Sequence, residues 1–179
     1  VLTDGDGTRH SFERDRPAPG VRFKAPAGVY LELRRFRDGN AADPRFWAAT
    51  RPDGTTFFFY RDGRASEVED RHGNVLRLVY EPRSNALRPG CGYALLCQFR
   101  VKEIIDAAGN APAGLVGVNP VTADADRKWT LAYDDQDRLT EIRDRKRIDG
   151  QRRVTRLSYT GTQLTSIVVG DNAGNPNKR

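Results

Sequence analysis

A chain of 179 residues with 37% hydrophobic and 30% charged residues is long enough to bury a core and has the composition of a globular protein. No apolar run approaches the roughly 20 residues with which a helix crosses a bilayer. The formal net charge is +6, and all but five of the 30 basic residues are arginine. A GC-rich genome produces the same bias, so the charge alone does not indicate a nucleic-acid partner. The chain opens on Val1 and contains no methionine, which indicates an excerpt of a longer protein.

The N-terminal stretch contains one glycine-rich loop, Thr-Asp-Gly-Asp-Gly at residues 3–7. We interpret it as a tight turn between two short strands. Asp4 and Asp6 are also weak calcium candidates, because their carboxylates are two residues apart in such a loop. A calcium loop of the EF-hand type needs further oxygen ligands and a distal Glu, and neither is evident here.

Strand patterns dominate the middle of the chain, and helical periodicity is nearly absent. Residues 55–60 read TTFFFY, and residues 74–80 read NVLRLVY, which splits into two alternating sets of side chains. The dipeptides Asp62-Gly63 and Asp149-Gly150 favour two-residue hairpin turns. We therefore predict an all-β chain built from antiparallel hairpins.

The motif Asp-x-x-Gly-Asn occurs three times, at residues 70–74, 106–110 and 171–175. A catalytic loop is normally needed once, whereas a turn is needed once per repeat. We predict that each Asp side chain accepts hydrogen bonds from the backbone N–H groups of its own loop. The predicted turn residues are Asp70, Gly73, Asn74, Asp106, Gly109, Asn110, Asp171, Gly174 and Asn175.

A tyrosine precedes the turns at similar spacing. After Tyr60, Tyr133 and Tyr159 the chain contains a turn, an apolar-x-x-apolar strand and then an Asp. We interpret each copy as one hairpin of a repeat, with the tyrosine rings in a row along neighbouring strands. A single hairpin is marginally stable in water, so several must pack edge to edge. The predicted repeat tyrosines are Tyr60, Tyr80, Tyr133 and Tyr159.

The combined pattern, Tyr-x-x-x-Gly-Arg-Leu-x-x-Ile-x-Asp-x-x-Gly-Asn, resembles the tyrosine-aspartate (YD) repeat of the rearrangement-hotspot (RHS) family. That family includes bacterial polymorphic toxins, toxin-complex shell proteins and the teneurins. The resemblance covers about residues 50–175 and is clearest at 57–80 and 129–168. Two copies depart from the pattern: Gln136-Asp137-Arg138 replaces the usual Gly-Arg, and residues 143–147 lack the Gly-Asn turn.

The resemblance implies stacked antiparallel β-hairpins that form a curved sheet, part of a YD-repeat shell. We expect an N-terminal β lead-in at residues 1–49 and a hairpin region at 50–179, together one continuous domain. Two stretches rich in Pro, Gly, Ala, Asn and Asp, 81–92 and 111–127, are expected to be long loops inserted between hairpins.

The implied function is structural and not enzymatic: a segment that helps to form a β-shell encapsulating or presenting a toxin cargo, secreted or displayed at a bacterial cell surface. The implied partners are neighbouring repeats and the C-terminal cargo of a longer parent chain, with no membrane span. Self-cleavage in the family uses acidic residues near the end of the shell. Asp43-Pro44 lies in an unrelated context, so no catalytic residue and no cofactor is assigned.

Cys91 and Cys97 are the only cysteines. In an exported protein we expect them to form a disulfide that pins the loop around them. Zinc is the weaker alternative, because the only histidines, His10 and His72, lie upstream in separate turns without the close spacing of structural zinc sites. A Cys-His nucleophile pair stays open, since such partners meet only in the fold.

A basic stretch flanks Asp149-Gly150 near the C-terminal end. A basic β-ribbon can lie along phosphates, which makes nucleic-acid binding one hypothesis for it. We favour a solvated hairpin whose charges keep a sheet edge from pairing with other molecules. The basic residues are Arg143, Arg145, Lys146, Arg147, Arg152, Arg153 and Arg156.

Two further functions stay open. A carbohydrate or cell-surface binding module is one, because the resemblance implies contacts with carbohydrates and cell surfaces and because Trp47 or Trp129 can stack on sugars, cell-surface glycans among them. A glycosidase is the other and needs two opposed carboxylates, but the sequence does not indicate which of its 24 acidic residues would form the pair.

Overall fold

The computed structural model describes residues 1–3, 6–15, 21–35, 45–83, 98–105, 127–145 and 152–170. Within these ranges every α-helix or β-strand element is a strand, which confirms the all-β prediction. No helix in this part of the chain is long and apolar enough to span a membrane.

Fourteen strands occur in the described part of the chain. Their bounds are β1 (Leu2–Thr3), β2 (Arg9–His10), β3 (Glu13–Arg14), β4 (Val21–Lys24), β5 (Glu32–Arg35), β6 (Trp47–Thr50), β7 (Thr56–Phe59), β8 (Ala65–Glu69), β9 (Val75–Pro82), β10 (Phe99–Ile105), β11 (Lys128–Tyr133), β12 (Leu139–Arg143), β13 (Val154–Thr160) and β14 (Gln163–Gly170).

The chain forms two compact units, Val1–Val75 and Leu76–Arg179. In the first unit β1 pairs with β2, and β3 to β8 follow one another in chain order with antiparallel pairing. In the second unit β9 to β14 are likewise antiparallel and in chain order. β6 contains residues 49 and 50, where the expected lead-in and hairpin regions meet.

Two cross-strand rows organise the first unit, one on each face of its sheet. Strand alternation places successive side chains on opposite faces. The apolar row crosses five strands through Phe23, Leu33, Ala49, Phe57 and Val68, each opposite the next. The row on the other face runs through Arg22, Arg34, Ala48, Phe58 and Glu67. Because Ala48 and Ala49 are 0% and 2% exposed, both faces of β6 are covered.

The second unit repeats this division into an apolar and a charged face. On the apolar face Leu78, Ile104 and Trp129 lie opposite one another. On the same face, one row further along, Leu131 lies opposite Ile142. On the other face two rows combine small and charged residues: Glu103, Thr130, Arg143, Val154 and Gly170 form one, and Ala132, Glu141, Arg156 and Val168 form the other.

In the described part of the chain, four hairpin loops share one backbone geometry. In each, the N–H of the first residue binds the carbonyl of the fifth, and the N–H of the fourth binds the carbonyl of the first. The fourth residue has positive φ in every case, from 61° to 91°. This is a three-residue loop ending in a left-handed residue. The loops are 51–55, 60–64, 70–74 and 134–138.

This geometry corrects the prediction for Asp62-Gly63. The dipeptide does not form a two-residue turn by itself, because Tyr60 and Arg64 close a loop of three residues around it and only Gly63 has positive φ. The extra residue is accommodated by a register shift between Phe58 and Phe59. Asp149-Gly150 lies outside the described residues.

The loop insertion predicted at 81–92 begins later than expected. Glu81 and Pro82 belong to β9, where they lie opposite Arg100 and Phe99. The strand pairing extends to these two residues, although the composition of residues 81–92 is that of a loop. Residues 84–92, and all but the last residue of 111–127, lie outside the described part of the chain.

Candidate functional site

The Asp side chain caps its own loop in the one Asp-x-x-Gly-Asn copy that the structure describes. Asp70 Oδ1 accepts the N–H groups of His72 at 2.8 Å and of Asn74 at 2.9 Å. Asp70 Oδ2 accepts the Asn74 side-chain amide at 2.7 Å. These bonds, the Asn74 side chain first, lower the pKa of Asp70 below its usual value. The other two copies, from Asp106 and Asp171, lie outside the described residues.

The same cap occurs at Asp134, where the sequence shows no Gly-Asn. Asp134 Oδ1 accepts the N–H groups of Gln136 and Arg138, both at 2.9 Å. The Arg138 backbone bond is the main cause that lowers the pKa of Asp134. Sequence reasoning missed this cap, because Asp137 and Arg138 stand where the motif has Gly and Asn. The one feature of the motif that remains in the sequence is an Asp four residues before the last residue of the loop.

A group of four residues joins the loop at 134–138 to β10. We call it the first arginine–tyrosine cluster, and its members are Arg100, Val101, Tyr133 and Asp137. The Tyr133 hydroxyl donates to the Val101 carbonyl at 2.7 Å. The Arg100 guanidinium carbon lies 4.3 Å from the centre of the Tyr133 ring. Arg100 Nη1 donates to Asp137 Oδ1 at 2.6 Å. β10, β11 and the loop after β11 are therefore connected through one arginine.

A second arginine–tyrosine cluster repeats the arrangement one hairpin later, with Arg138, Leu139, Tyr159 and Gly161. The Tyr159 hydroxyl donates to the Leu139 carbonyl at 2.8 Å. The Arg138 guanidinium carbon lies 4.9 Å from the Tyr159 ring centre. Arg138 Nη1 donates to the Gly161 carbonyl. In both clusters the arginine directly precedes the residue whose carbonyl accepts the tyrosine hydroxyl.

The two clusters also agree in the rest of the arginine's contacts. A carboxylate holds Nε in each: Glu81 Oε1 at 2.8 Å from Arg100, and Asp134 Oδ2 at 2.7 Å from Arg138. The residue that Nη1 contacts has positive φ in each, Asp137 at 61° and Gly161 at 57°. In each cluster the arginine therefore contacts the positive-φ residue of the loop that follows the tyrosine in the chain.

Burial of the first cluster changes the chemistry of its tyrosine. The Arg100 side chain is 11% exposed and that of Asp137 is 0% exposed. Burial raises the pKa of the Tyr133 hydroxyl, and the nearby Arg100 partly opposes that shift. The Tyr133 hydroxyl is neutral at neutral pH and donates the hydrogen bond to the Val101 carbonyl.

The structure describes the surroundings of all four predicted repeat tyrosines. Tyr133 and Tyr159 occupy the equivalent positions just described. The Tyr60 ring lies 5.1 Å from the Arg64 guanidinium carbon of its own loop. Tyr80 lies within β9, opposite Val101.

The remaining sequence candidates do not converge on a common site. Asp6 caps its own turn by accepting the Thr8 N–H at 2.8 Å, and this bond is the main cause of its lowered pKa. His10 lies in β2 and His72 in the 70–74 loop. Asp4, Cys91 and Cys97 lie outside the described residues. Within the described ranges, no group of three or more His, Cys, Asp or Glu side chains is placed to hold a metal ion.

Both tryptophans are half-buried and engaged with neighbours. The Trp47 ring packs against Phe23 and Phe46, with centroid distances of 5.7 and 5.4 Å. The Trp129 ring nitrogen donates to Asp144 Oδ1, and the Arg145 guanidinium carbon lies 5.9 Å from the Trp129 ring centre.

Acidic neighbours accompany the described part of the basic stretch. Glu141 pairs with Arg143 at 2.5 Å and with Arg156 at 3.3 Å. Asp144 pairs with Arg153 at 3.0 Å. The local positive charge is therefore partly cancelled at these residues. Lys146 and Arg147 lie outside the described part of the chain.

An open groove of about 630 Å³ lies in the second unit. Thr130 and Ala132, two small residues on β11, are among its lining, and charged side chains from the flanking strands surround them. The charged lining residues are Glu81, Arg100, Lys102, Lys128, Glu141, Arg143 and Arg152.

Comparison with known proteins identifies no relative. No family model, no curated protein and no solved structure matches the chain.

Proposed function

We propose that this chain is a structural, non-enzymatic wall segment of a secreted or surface-displayed bacterial shell of the RHS/YD-repeat type, which encloses or presents a toxin cargo. The observation that carries the proposal is the pair of equivalent arginine–tyrosine clusters. The same contacts join β10 to the loop at 134–138 and β12 to the loop after β13. A contact that recurs in two successive hairpins serves their regular stacking, whereas a catalytic site is needed once.

The end of the second unit supports continuation of the wall. β14 pairs with β13, and its Leu164, Ile167, Val168 and Val169 side chains are 39–60% exposed. No charged residue occurs between residues 158 and 170. A strand edge with this composition is prone to associate with another strand.

The residues after β14 repeat the Asp-x-x-Gly-Asn motif at 171–175. At 70–74 that motif forms a three-residue hairpin loop. A following strand in the longer parent chain would then turn back along β14 and cover its exposed apolar residues. In this proposal the shell acts by burial: a closed wall keeps the cargo away from proteases and from the producing cell.

The test is the size and protease resistance of the native protein. An antibody raised against residues 45–83 should detect, in the producing cells, a polypeptide much larger than the 20.1 kDa of this chain. Under native conditions, trypsin should leave a large resistant core despite 30 Lys and Arg residues in this segment alone. A native product near 20 kDa, or complete digestion of the parent protein at the rate of its unfolded form, would contradict the proposal.

A further inference from the structure

β14 is the last strand of the sheet in the described part of the second unit, and it is paired along one edge. Its partner is β13, and none of the described strands lies along its other edge. That edge presents backbone N–H and C=O groups that another strand can bind. Charged side chains and proline usually keep an edge strand from pairing with other molecules. β14 has the sequence QLTSIVVG and contains neither.

The last five residues of β14 form a regular strand. Residues 166–170 lie opposite residues 158–154, one for one and without a break. The register shift of this hairpin lies beyond them, between Ser158 and Tyr159. Because the outer edge of a regular strand continues the same backbone pattern, these five residues are suited to accept one further strand.

Exposed apolar side chains lie on both faces of this regular part. Val169 lies opposite Thr155, which lies opposite Ile142 on the apolar face of the second unit. Strand alternation places Ile167 on that face too and Val168 on the other face. Ile167 is 60% exposed, Val168 is 43% exposed and Val169 is 39% exposed. All three are β-branched, the side-chain type that packs best between neighbouring strands.

The order of these residues fits a second copy of the same strand. A two-fold axis through Val168 places two antiparallel copies with Val168 opposite itself, and Ile167 of each copy opposite Val169 of the other. Ser166 of each copy then lies opposite Gly170 of the other. Each pair joins residues on the same face, so the apolar faces of the two sheets become continuous. Cross-strand pairs of apolar residues of this kind stabilise a sheet.

The charge distribution also favours β14 as the contact between copies. The net charge of +6 makes two copies repel each other as whole molecules. No charged residue occurs between residues 158 and 170, so pairing at β14 adds no like-charge contact to that repulsion. The outermost strand of the first unit's larger sheet, β3, differs in both respects: it has only two residues, Glu13 and Arg14, and both are charged.

We propose that two copies of this chain form a symmetric dimer by antiparallel pairing of their β14 strands, with Val168 on the two-fold axis. Five residues per copy are far fewer than the roughly 20–30 per side of a standard interface, so the dimer is weak and depends on protein concentration. A following strand in a longer parent chain competes for the same edge, and tethering gives it the higher effective concentration. The dimer therefore forms where β14 is the last strand of its sheet. The proposal does not depend on the shell function, whose test is the size and protease resistance of the parent protein.

The first experiment is analytical ultracentrifugation of the 179-residue chain over a range of concentrations. We expect a reversible monomer–dimer equilibrium. Val168→Lys should weaken the dimer at least about tenfold, because it places two positive charges directly opposite each other. Leu164→Lys is the matched control: Leu164 is 43% exposed, like Val168, but lies outside the five paired residues. The Leu164→Lys dimer should be as strong as that of the unchanged protein.

A mixture of Val168→Lys and Val168→Glu tests the position of the axis. Each variant alone brings two like charges together at the axis, whereas a mixed dimer brings together one charge of each sign. The mixture should therefore dimerise more tightly than either variant alone. A Val168→Lys dimer as tight as that of the unchanged protein, or a mixture that is no tighter than its components, would overturn the proposal.

A cross-link tests the same register by a different chemistry. Directly opposite Cα atoms in antiparallel strands are about 4.5–5.5 Å apart, which is within the range of a disulfide. In a Cys91→Ser/Cys97→Ser background, Val168→Cys should form a covalent dimer on mild oxidation, and Leu164→Cys should not. Equal cross-linking of the two variants would contradict the register.

Hydrogen exchange of the unchanged protein keeps the proposal testable if a variant fails to fold, which circular dichroism reveals. Pairing protects the outward N–H groups of β14, so their exchange should slow as the protein concentration rises. Association through a sheet face would leave these groups unprotected. A protein that stays monomeric at millimolar concentration, exchange in β14 that does not depend on concentration, or open-ended fibres in place of dimers would refute the proposal.

Discussion

Arg100 donates from Nη1 to Asp137 Oδ1 at 2.6 Å across 37 residues of sequence, and Asp137 occupies the one non-glycine position with positive φ in the described chain. Positive φ costs an L-residue roughly 1 kcal/mol relative to Gly. At this position the Asp137 side chain forms a buried ion pair with Arg100. An aspartate at the usual glycine position is therefore part of the contact between successive hairpins.

Substitutions at Asp137 separate the backbone strain from the ion pair. Asp137→Gly loses the contact with Arg100 but relieves the strain, whereas Asp137→Ala loses the contact and keeps the strain. We expect both variants to be less stable than the unchanged protein. The free energy of unfolding of Asp137→Ala should be about 1 kcal/mol lower than that of Asp137→Gly. Urea denaturation measures the difference. An Ala variant as stable as the Gly variant would show that the φ value is not costly here.

The tyrosine hydroxyls should contribute equally in the two clusters. Tyr133→Phe and Tyr159→Phe each remove one hydrogen bond to a carbonyl and leave the ring beside its arginine. We expect each to lower the free energy of unfolding by about 1 kcal/mol. Tyr30→Phe is the control, because Tyr30 is 81% exposed. A loss in only one of the two cluster variants would argue against their equivalence.

Acid should weaken the capped loops through Asp70 and Asp134. Both have a pKa lowered from the ordinary value of 3.8, so the folded state binds their protons more weakly than the unfolded state does. Their stabilisation is fully present above pH 3.8 and is lost as the pH falls through the lowered values. The variant Asp70→Asn/Asp134→Asn should flatten the fall in urea midpoint below pH 4. An unchanged acid profile would mean that other carboxylates dominate it.

Removing Arg45 should leave a buried charge in the first unit. Arg45 Nε lies 2.6 Å from Glu67 Oε2, and the Glu67 side chain is 2% exposed. Because Arg45 itself is 41% exposed, we expect Arg45→Met to cost about 2 kcal/mol, less than the 3–5 kcal/mol of a fully buried pair. Glu67→Gln in the same protein should recover part of the loss. Additive effects in this double-mutant cycle would show that the two side chains do not interact energetically.

The predicted bridge between Cys91 and Cys97 can be tested chemically. Both cysteines lie outside the described residues, so the bridge stays a prediction from the sequence. In the exported protein we expect no alkylation by iodoacetamide until a reductant is added, with mass spectrometry as the measurement. Two thiols that react at once in the oxidised protein would favour an intracellular location.

Local patterns in the sequence predicted the strands and the loop cap at Asp70. Residues 74–80 alternate with the period of two that is typical of a strand. Residues 55–60 are β-branched and aromatic, which also favours a strand. Asp-x-x-Gly-Asn predicts its own loop because the groups that bond are at most four residues apart. The prediction of a two-residue turn at Asp62-Gly63 was wrong, because the loop length depends on how Tyr60 and Arg64 pair across the strands.

The arginine–tyrosine clusters and the groove depend on strand pairing, which the sequence patterns do not show. Arg100 is 33 residues from Tyr133 in sequence and meets it because β10 pairs with β11, a register that no short motif encodes. Thr130 and Ala132 are ordinary small residues until Glu103, Arg143 and Glu141 lie opposite them. The strands at 55–60 and 74–80 and the cap at Asp70 were predictable from the sequence, because those interactions are local. Strand pairing determined which charged and aromatic side chains meet, because side chains on neighbouring strands interact only once the register is set.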